Sequence, residues 1–89
     1  MGGEKEDEKL DLEEGQKQIE HLRKLGEEYY DRMYDERPSG AINANYSDAK
    51  ECFYDAIGLA RRLGLMKEAE ALGERLAHLK AVYRSQFAG

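Results

Sequence analysis

The sequence has no tryptophan, one proline and one cysteine, and it has no long run of apolar residues. The single cysteine, Cys52, cannot form an internal disulfide, and no zinc-site spacing is present, so a reducing, cytoplasmic location is expected. No run approaches the roughly 20 apolar residues that a membrane-spanning helix needs, so no membrane association is expected. With one proline in 89 residues, long uninterrupted helices are permitted.

Basic charge is also scarce, because 14 lysines and arginines face 19 aspartates and glutamates. The net charge of −5 comes from the first part of the chain: residues 1–37 hold 13 acidic and 7 basic residues, whereas residues 38–89 hold 6 and 7. Nucleic-acid binding depends on clustered cations that neutralise phosphates. We therefore expect no nucleic-acid partner.

Patterns of catalytic or cofactor-binding residues are missing as well. No glycine loop has the spacing that cradles a phosphate, and no histidine is predictably close to Cys52. Glu74 and His78 lie four residues apart on one helical face, but a metal site needs a further ligand from another helix. We expect no enzyme, no cofactor and no metal site, and we expect Cys52 to be a small buried residue.

The sequence does contain three stripes of apolar or small residues at alternating steps of four and three, the spacing of one helix face. They predict helices over about residues 10–35, 43–63 and 66–87. The stripes are Gly15, Ile19, Leu22, Gly26, Tyr29 and Met33; Ile42, Tyr46, Ala49, Phe53, Ala56, Ala60 and Leu63; and Leu65, Ala69, Leu72, Leu76, Leu79 and Tyr83. No stretch has a strand pattern, so the predicted fold class is all-α, a three-helix antiparallel bundle.

The segments between the stripes set the domain organisation. Residues 1–9 are expected to form a disordered acidic tail, which leaves residues 10–89 as a single three-helix domain. A proline and a glycine interrupt the pattern and predict a link over residues 35–45. Gly64 is a natural residue just beyond a helix end, and the third helix follows almost at once. Helices two and three should therefore form an antiparallel hairpin.

Residues 46–56, YSDAKECFYDA, place an alanine three residues after a tyrosine, an aromatic four further on and an alanine three beyond that. Upstream, the pair Leu25-Gly26 precedes Tyr29 by three residues. The two patterns resemble the two helices of a tetratricopeptide repeat, over residues 19–63. The chain holds about one and a half such repeats, and its 35–45 link is longer than the family's. A plain three-helix bundle is the alternative interpretation.

Small residues in both helices agree with this resemblance. Gly26 and Ala49 would let the two helix axes approach closely, while Tyr29 and Phe53 would fill the space between them. Glycine costs up to about 1 kcal/mol of helix propensity relative to alanine. Close packing at Gly26 would compensate for that cost.

In tetratricopeptide domains the first helix of each repeat lines a concave groove that accepts a peptide. The resemblance assigns six positions of the first helix to such a groove: Glu20, Arg23, Lys24, Glu27, Tyr30 and Asp31. The positions that hold a peptide carboxylate in the family are occupied here by Arg23 and Glu27. Since Glu27 would oppose a carboxylate, an acidic C-terminal peptide is not the expected ligand.

Tyr30 and Tyr34 lie four residues apart and off the predicted apolar stripe, so we expect them to form an aromatic ridge beside Arg23 and Glu27. Tyrosine combines contact area with a polar tip and is favoured at interfaces. The alternative is that one or both pack against the link or the third helix. We expect a protein-protein interaction module that binds a peptide or protein partner through these four residues. A self-associating homodimer with no separate ligand is the alternative function.

Overall fold

The computed structural model describes the backbone of residues 3–35 and 39–86 and the side chains of residues 12–34 and 42–86. Over these residues the chain forms three α-helices and no strand: α1 (Gly3–Asp35), α2 (Ser39–Arg62) and α3 (Met66–Gln86). The predicted fold class, an all-α three-helix bundle, is confirmed. None of these helices is long and apolar enough to cross a membrane.

α1 begins earlier than the sequence predicted. Residues 3–9 are helical, where a disordered tail was expected, and residues 1 and 2 lie outside the described part of the chain. Four of residues 4–8 are acidic, and acidic residues near a helix N-terminus interact favourably with the helix dipole. Apolar spacing alone does not indicate this extension, because residues 3–9 contain no apolar stripe.

α2 also begins earlier, at Ser39 rather than at about residue 43. The link predicted over residues 35–45 is therefore wrong, and only residues 36–38, which lie outside the described residues, separate α1 from α2. Gly40 was interpreted as a helix breaker, but one glycine costs a helix only about 1 kcal/mol relative to alanine. Packing of a long apolar stripe outweighs a cost of that size.

α2 is the central helix, because it packs along both α1 and α3 while those two approach each other much less. Each helix supplies one of the largest fully buried side chains: Met33 from α1, Phe53 from α2 and Leu79 from α3. Together with smaller residues of all three helices they form one apolar cluster. The core therefore lies along α2, and the sides of α1 and α3 that face away from α2 are not packed against it.

Two glycines allow α1 to lie close to α2. A Cβ atom added to Gly26 would lie 2.7 Å from Cε2 of Phe53, and one added to Gly15 would overlap the end of Leu63. The close approach predicted at Gly26 is confirmed, and Ala49, the other small residue of the pattern, is buried at 1% exposure. The contact at Gly15 places the C-terminal end of α2 beside the first half of α1.

The turn between α2 and α3 fixes the direction of α3. Gly64 has a φ of 76°, which favours glycine. The Leu65 amide donates to the carbonyl of Ala60 at 2.8 Å, and the Gly64 amide donates to that of Arg61 at 3.0 Å, the two bonds of a Schellman motif. α3 therefore returns antiparallel to α2 and lies parallel to α1.

Candidate functional site: a groove between α1 and α3

The parallel helices α1 and α3 enclose a groove of about 380 Å³. On the α1 side it is lined by Gln16, Ile19, Glu20, Arg23 and Glu27. On the α3 side it is lined by Glu68, Ala71, Leu72 and Arg75. Ile19 and Leu72 are buried and form its floor, and the charged residues are half-buried or exposed and form its walls. We call this feature the α1/α3 groove.

The structure brings together part of the predicted site. Glu20, Arg23 and Glu27, three of the six positions assigned by resemblance, line the α1/α3 groove. The residues of α3 were missed, because a pattern within one helix carries no information about which residues of another helix lie opposite. Arg75 is the most important of these.

Arg75 joins the two walls of the groove. Its Nε and Nη2 atoms donate to Oε2 and Oε1 of Glu27, each at 2.6 Å. The hydrogen bond to Glu27 raises the pKa of Arg75, although partial burial acts in the opposite direction. Such two-bond pairs fix geometry as well as charge. The pair closes one end of the groove and sets the spacing of α1 and α3 there.

The predicted aromatic ridge is wrong for Tyr30. Its side chain is only 9% exposed and belongs to the core cluster, and Cζ of Arg75 lies 5.2 Å from the centre of its ring. Tyr34 is 48% exposed. α1 contacts two helices, so its buried arc is wider than the single stripe that the sequence showed. Of the two tyrosines, only Tyr34 presents a large exposed surface.

The two tyrosines contact each other directly. Their rings are edge-to-face with centres 5.6 Å apart, and their hydroxyl oxygens are 3.2 Å apart and share a hydrogen bond. Burial, and then the hydrogen bond with Tyr34, raises the pKa of Tyr30 to about 12. The Tyr30 hydroxyl therefore stays protonated into alkaline solution, and its contact with Tyr34 lies beside the closed end of the groove.

Arg23, the predicted partner-binding cation, already has a carboxylate partner in its own helix. Its Nε donates to Oε2 of Glu20 at 3.1 Å, and Nη2 contacts the other carboxylate oxygen. The hydrogen bond from Arg23 lowers the pKa of Glu20. Both side chains are about half exposed, 41% and 50%, and exposed pairs of this kind contribute at most about 1 kcal/mol.

Glu68 lies at the other end of the groove, in the first turn of α3. It is exposed, and the ion pairs found among the described residues do not include it. Glu20 and Glu27 each form an ion pair with an arginine. Among the described residues that line the groove, Glu68 therefore has the one carboxylate without an ion-pair partner. The lining of the groove is therefore acidic at the end near Glu68.

A second set of aromatic contacts joins α2 to α3. The rings of Tyr46 and Tyr83 are stacked with centres 3.7 Å apart, and Nζ of Lys50 lies 4.5 Å from the centre of the Tyr46 ring. Tyr54, which is 51% exposed, carries Lys80 over its ring at 4.8 Å. The Tyr46–Tyr83 and Tyr54–Lys80 contacts join the two helices of the hairpin, whereas the Lys50–Tyr46 contact lies within α2. None of these residues lines the groove.

Cys52 is 8% exposed, as predicted for a small buried residue. Burial, and then the nearby carboxylates of Asp55 and Asp48, raises the pKa of its thiol, which makes it a poor nucleophile at neutral pH. Within residues 12–34 and 42–86, no group of three or more histidine, cysteine, aspartate or glutamate residues is placed to share a metal ion.

No protein-family model, no curated protein and no solved structure matches this chain. The resemblance to a tetratricopeptide repeat rests on the residues of the chain itself, and it stays a prediction.

Proposed function

We propose that this chain is a small protein-interaction module that holds a segment of a partner protein in the α1/α3 groove. One observation carries the proposal: two buried apolar side chains, Ile19 and Leu72, lie between charged walls supplied by two parallel helices. Ile19 and Leu72 are each only 5% exposed, so the apolar surface that a ligand can bury also comes from Ala71 and from the aliphatic parts of the wall side chains. Polar groups at the rim would fix the register of the ligand.

The dimensions of the groove suit a short peptide. Gln16 and Glu27 bound its α1 wall, and eleven helical steps between them span roughly 17 Å. That length matches about three turns of a helix or about five extended residues. A single segment of a partner could therefore fill it.

The resemblance to tetratricopeptide repeats adds support. Glu20, Arg23 and Glu27 line the groove at positions that the resemblance assigns to peptide binding. α1 and α3 lie parallel, as the first helices of successive repeats would. The connection between α1 and α2 is also shorter than the sequence suggested, which removes one departure from the family pattern. A cytoplasmic location fits the single buried thiol of Cys52.

Self-association is the second candidate function. Tyr34, Tyr54 and Met66 are large apolar residues that are 48%, 51% and 61% exposed, and a second copy of the chain could cover them. The net charge of −5 opposes this, because two copies repel each other at low salt. Light scattering over a concentration series tests it: a mass of one chain throughout would reject the homodimer.

The groove itself is tested by filling it. Ala71 is exposed on its α3 wall, and Ala77 is exposed on the same helix away from the groove. Ala71→Trp should block the groove, and Ala77→Trp is the matched control. Peptides of about twelve residues, long enough for the groove, would be selected from a random display library on the unmodified protein.

We expect enriched peptides to bind the unmodified protein and Ala77→Trp alike, and to lose at least about tenfold in affinity for Ala71→Trp. Circular dichroism would verify that both variants remain helical. Peptides that bind all three proteins equally, or a selection without any enrichment, would contradict the proposal.

A further inference from the structure

We infer that the segment held in the α1/α3 groove is cationic and amphipathic: an apolar side chain over Ile19 and Leu72, with a lysine or arginine next to it facing Glu68. This inference rests on the proposed function and specifies the chemistry of its partner. Three observations on charge support it. The arginines inside the groove are paired with glutamates, acidic residues lie at the Glu68 end, and the chain as a whole has a net charge of −5.

Inside the groove the arginines are already neutralised. Arg75 is held by Glu27 through two hydrogen bonds of 2.6 Å, and Arg23 is held by Glu20. An acidic peptide would have to displace a carboxylate that is already fixed in the same protein. A basic peptide needs no displacement, because the carboxylate of Glu68 has no ion-pair partner among the described residues.

The acidic end of the groove continues into the N-terminal part of α1. The contact between Gly15 and Leu63 puts residue 15 level with the end of α2, so the preceding residues of α1 run past the α2–α3 turn. Residues 4–14 include seven acidic and two basic residues, and Glu13 and Glu14 are exposed. A cation bound near Glu68 would therefore lie near a part of α1 in which acidic residues outnumber basic ones by seven to two.

Charge also makes a second copy of the chain a poor ligand for the α1/α3 groove. Its net charge is −5, and like-charged surfaces repel. We therefore assign the cationic segment to a different protein. Opposite charge would also speed the encounter of the two partners.

The distance between the apolar floor of the groove and the Glu68 carboxylate defines the motif that we expect in the partner's sequence. Glu68 precedes Leu72 by four residues on one face of α3, a separation of about 6 Å. The partner must therefore place its cation about 6 Å from its apolar side chain. Neighbours three or four residues apart in a helix, or two apart in an extended chain, have this spacing.

The peptides selected on the unmodified protein and counter-tested on Ala71→Trp provide the test. We expect the groove-dependent peptides to share an apolar residue with a lysine or arginine at one of these spacings, and to bind more weakly as salt rises. Glu68→Gln should reduce their affinity about twofold to fivefold, which is within the range of an exposed ion pair. Glu70→Gln, an exposed glutamate of α3 that does not line the groove, should leave it unchanged.

The outcomes separate this inference from the proposed function. Groove-dependent peptides without an excess of basic residues, or equal affinities for Glu68→Gln and Glu70→Gln, would overturn the cationic partner and leave the binding groove in place. A selection without groove-dependent peptides would overturn both.

Discussion

α1 makes two contacts of different character. Towards α2 it is dry and close, because Gly26 lies against the ring of the fully buried Phe53. Towards α3 it is open, and the Glu27–Arg75 ion pair bridges the gap at one end. The contact with α2 depends on close packing, and the contact with α3 depends on an ion pair. A helix that is fixed on one side can leave its other side open to a ligand.

The largest expected loss of stability comes from removing the buried side chain of Tyr30. Tyr30→Ala should lower the free energy of unfolding by about 3 kcal/mol, because it empties a space in the core. Tyr34→Ala should lower it by less than about 1 kcal/mol, since Tyr34 is 48% exposed. Urea unfolding followed by circular dichroism measures both. Equal losses would mean that the two tyrosines lie in similar surroundings and that the core does not extend to Tyr30.

Alkaline pH should loosen the same region. The pKa of Tyr30 is raised to about 12 by burial and by Tyr34, above the value of about 10 for an unfolded tyrosine. The folded chain therefore holds this proton more tightly, and the stabilisation is present below about pH 10 and lost as pH rises to about 12. The loss should be on the order of 2 kcal/mol at most, because Tyr34 leaves the hydroxyl pair partly open to water.

Tyr30→Phe is the control for this pH effect. It keeps the ring and removes the group that titrates, so Glu27 and Arg75 beside it remain in place. Urea midpoints at about pH 9 and about pH 11 should differ less for Tyr30→Phe than for the unmodified protein. The same drop in both would assign the alkaline loss to other groups.

The glycines of the helices test the dry contact with α2. Gly26→Ala gains about 1 kcal/mol of helix propensity but forces a Cβ against a buried ring, so it should destabilise by about 1 kcal/mol overall. Gly73→Ala meets no atom within 4 Å, and it should stabilise by about 0.5–1 kcal/mol. Melting temperatures that shift in the same direction would show that α1 and α2 are not close at Gly26.

The ion pair of the open contact should have the smallest effect on stability. Glu27→Gln should cost about 1 kcal/mol or less, since both side chains are partly exposed. Glu28→Gln, at an exposed neighbouring position, is the control and should cost nothing measurable. The difference between the two variants should shrink at about 1 M salt, where charges are screened. A difference that persists there would indicate a packing contribution instead.

Features that depend on the residue spacing within one helix could be predicted from the sequence. Features that depend on how two helices lie against each other could not. The close approach at Gly26 and Phe53, and the buried stripe of α3 through Leu72, Leu76 and Leu79, follow from local spacing. The burial of Tyr30 does not, because the buried arc of α1 widens only when a third helix lies beside it. The pairing of Arg75 with Glu27 depends on the rotation of α3, which no pattern within α3 determines.

The central position of α2 also has a consequence for the order of folding. Each helix packs chiefly against the next one in sequence, and chains whose contacts are mostly local fold within microseconds to milliseconds. The groove is the exception, because Glu27 and Arg75 are 48 residues apart. During synthesis α1 and α2 emerge before α3. The α1/α3 groove is therefore completed last.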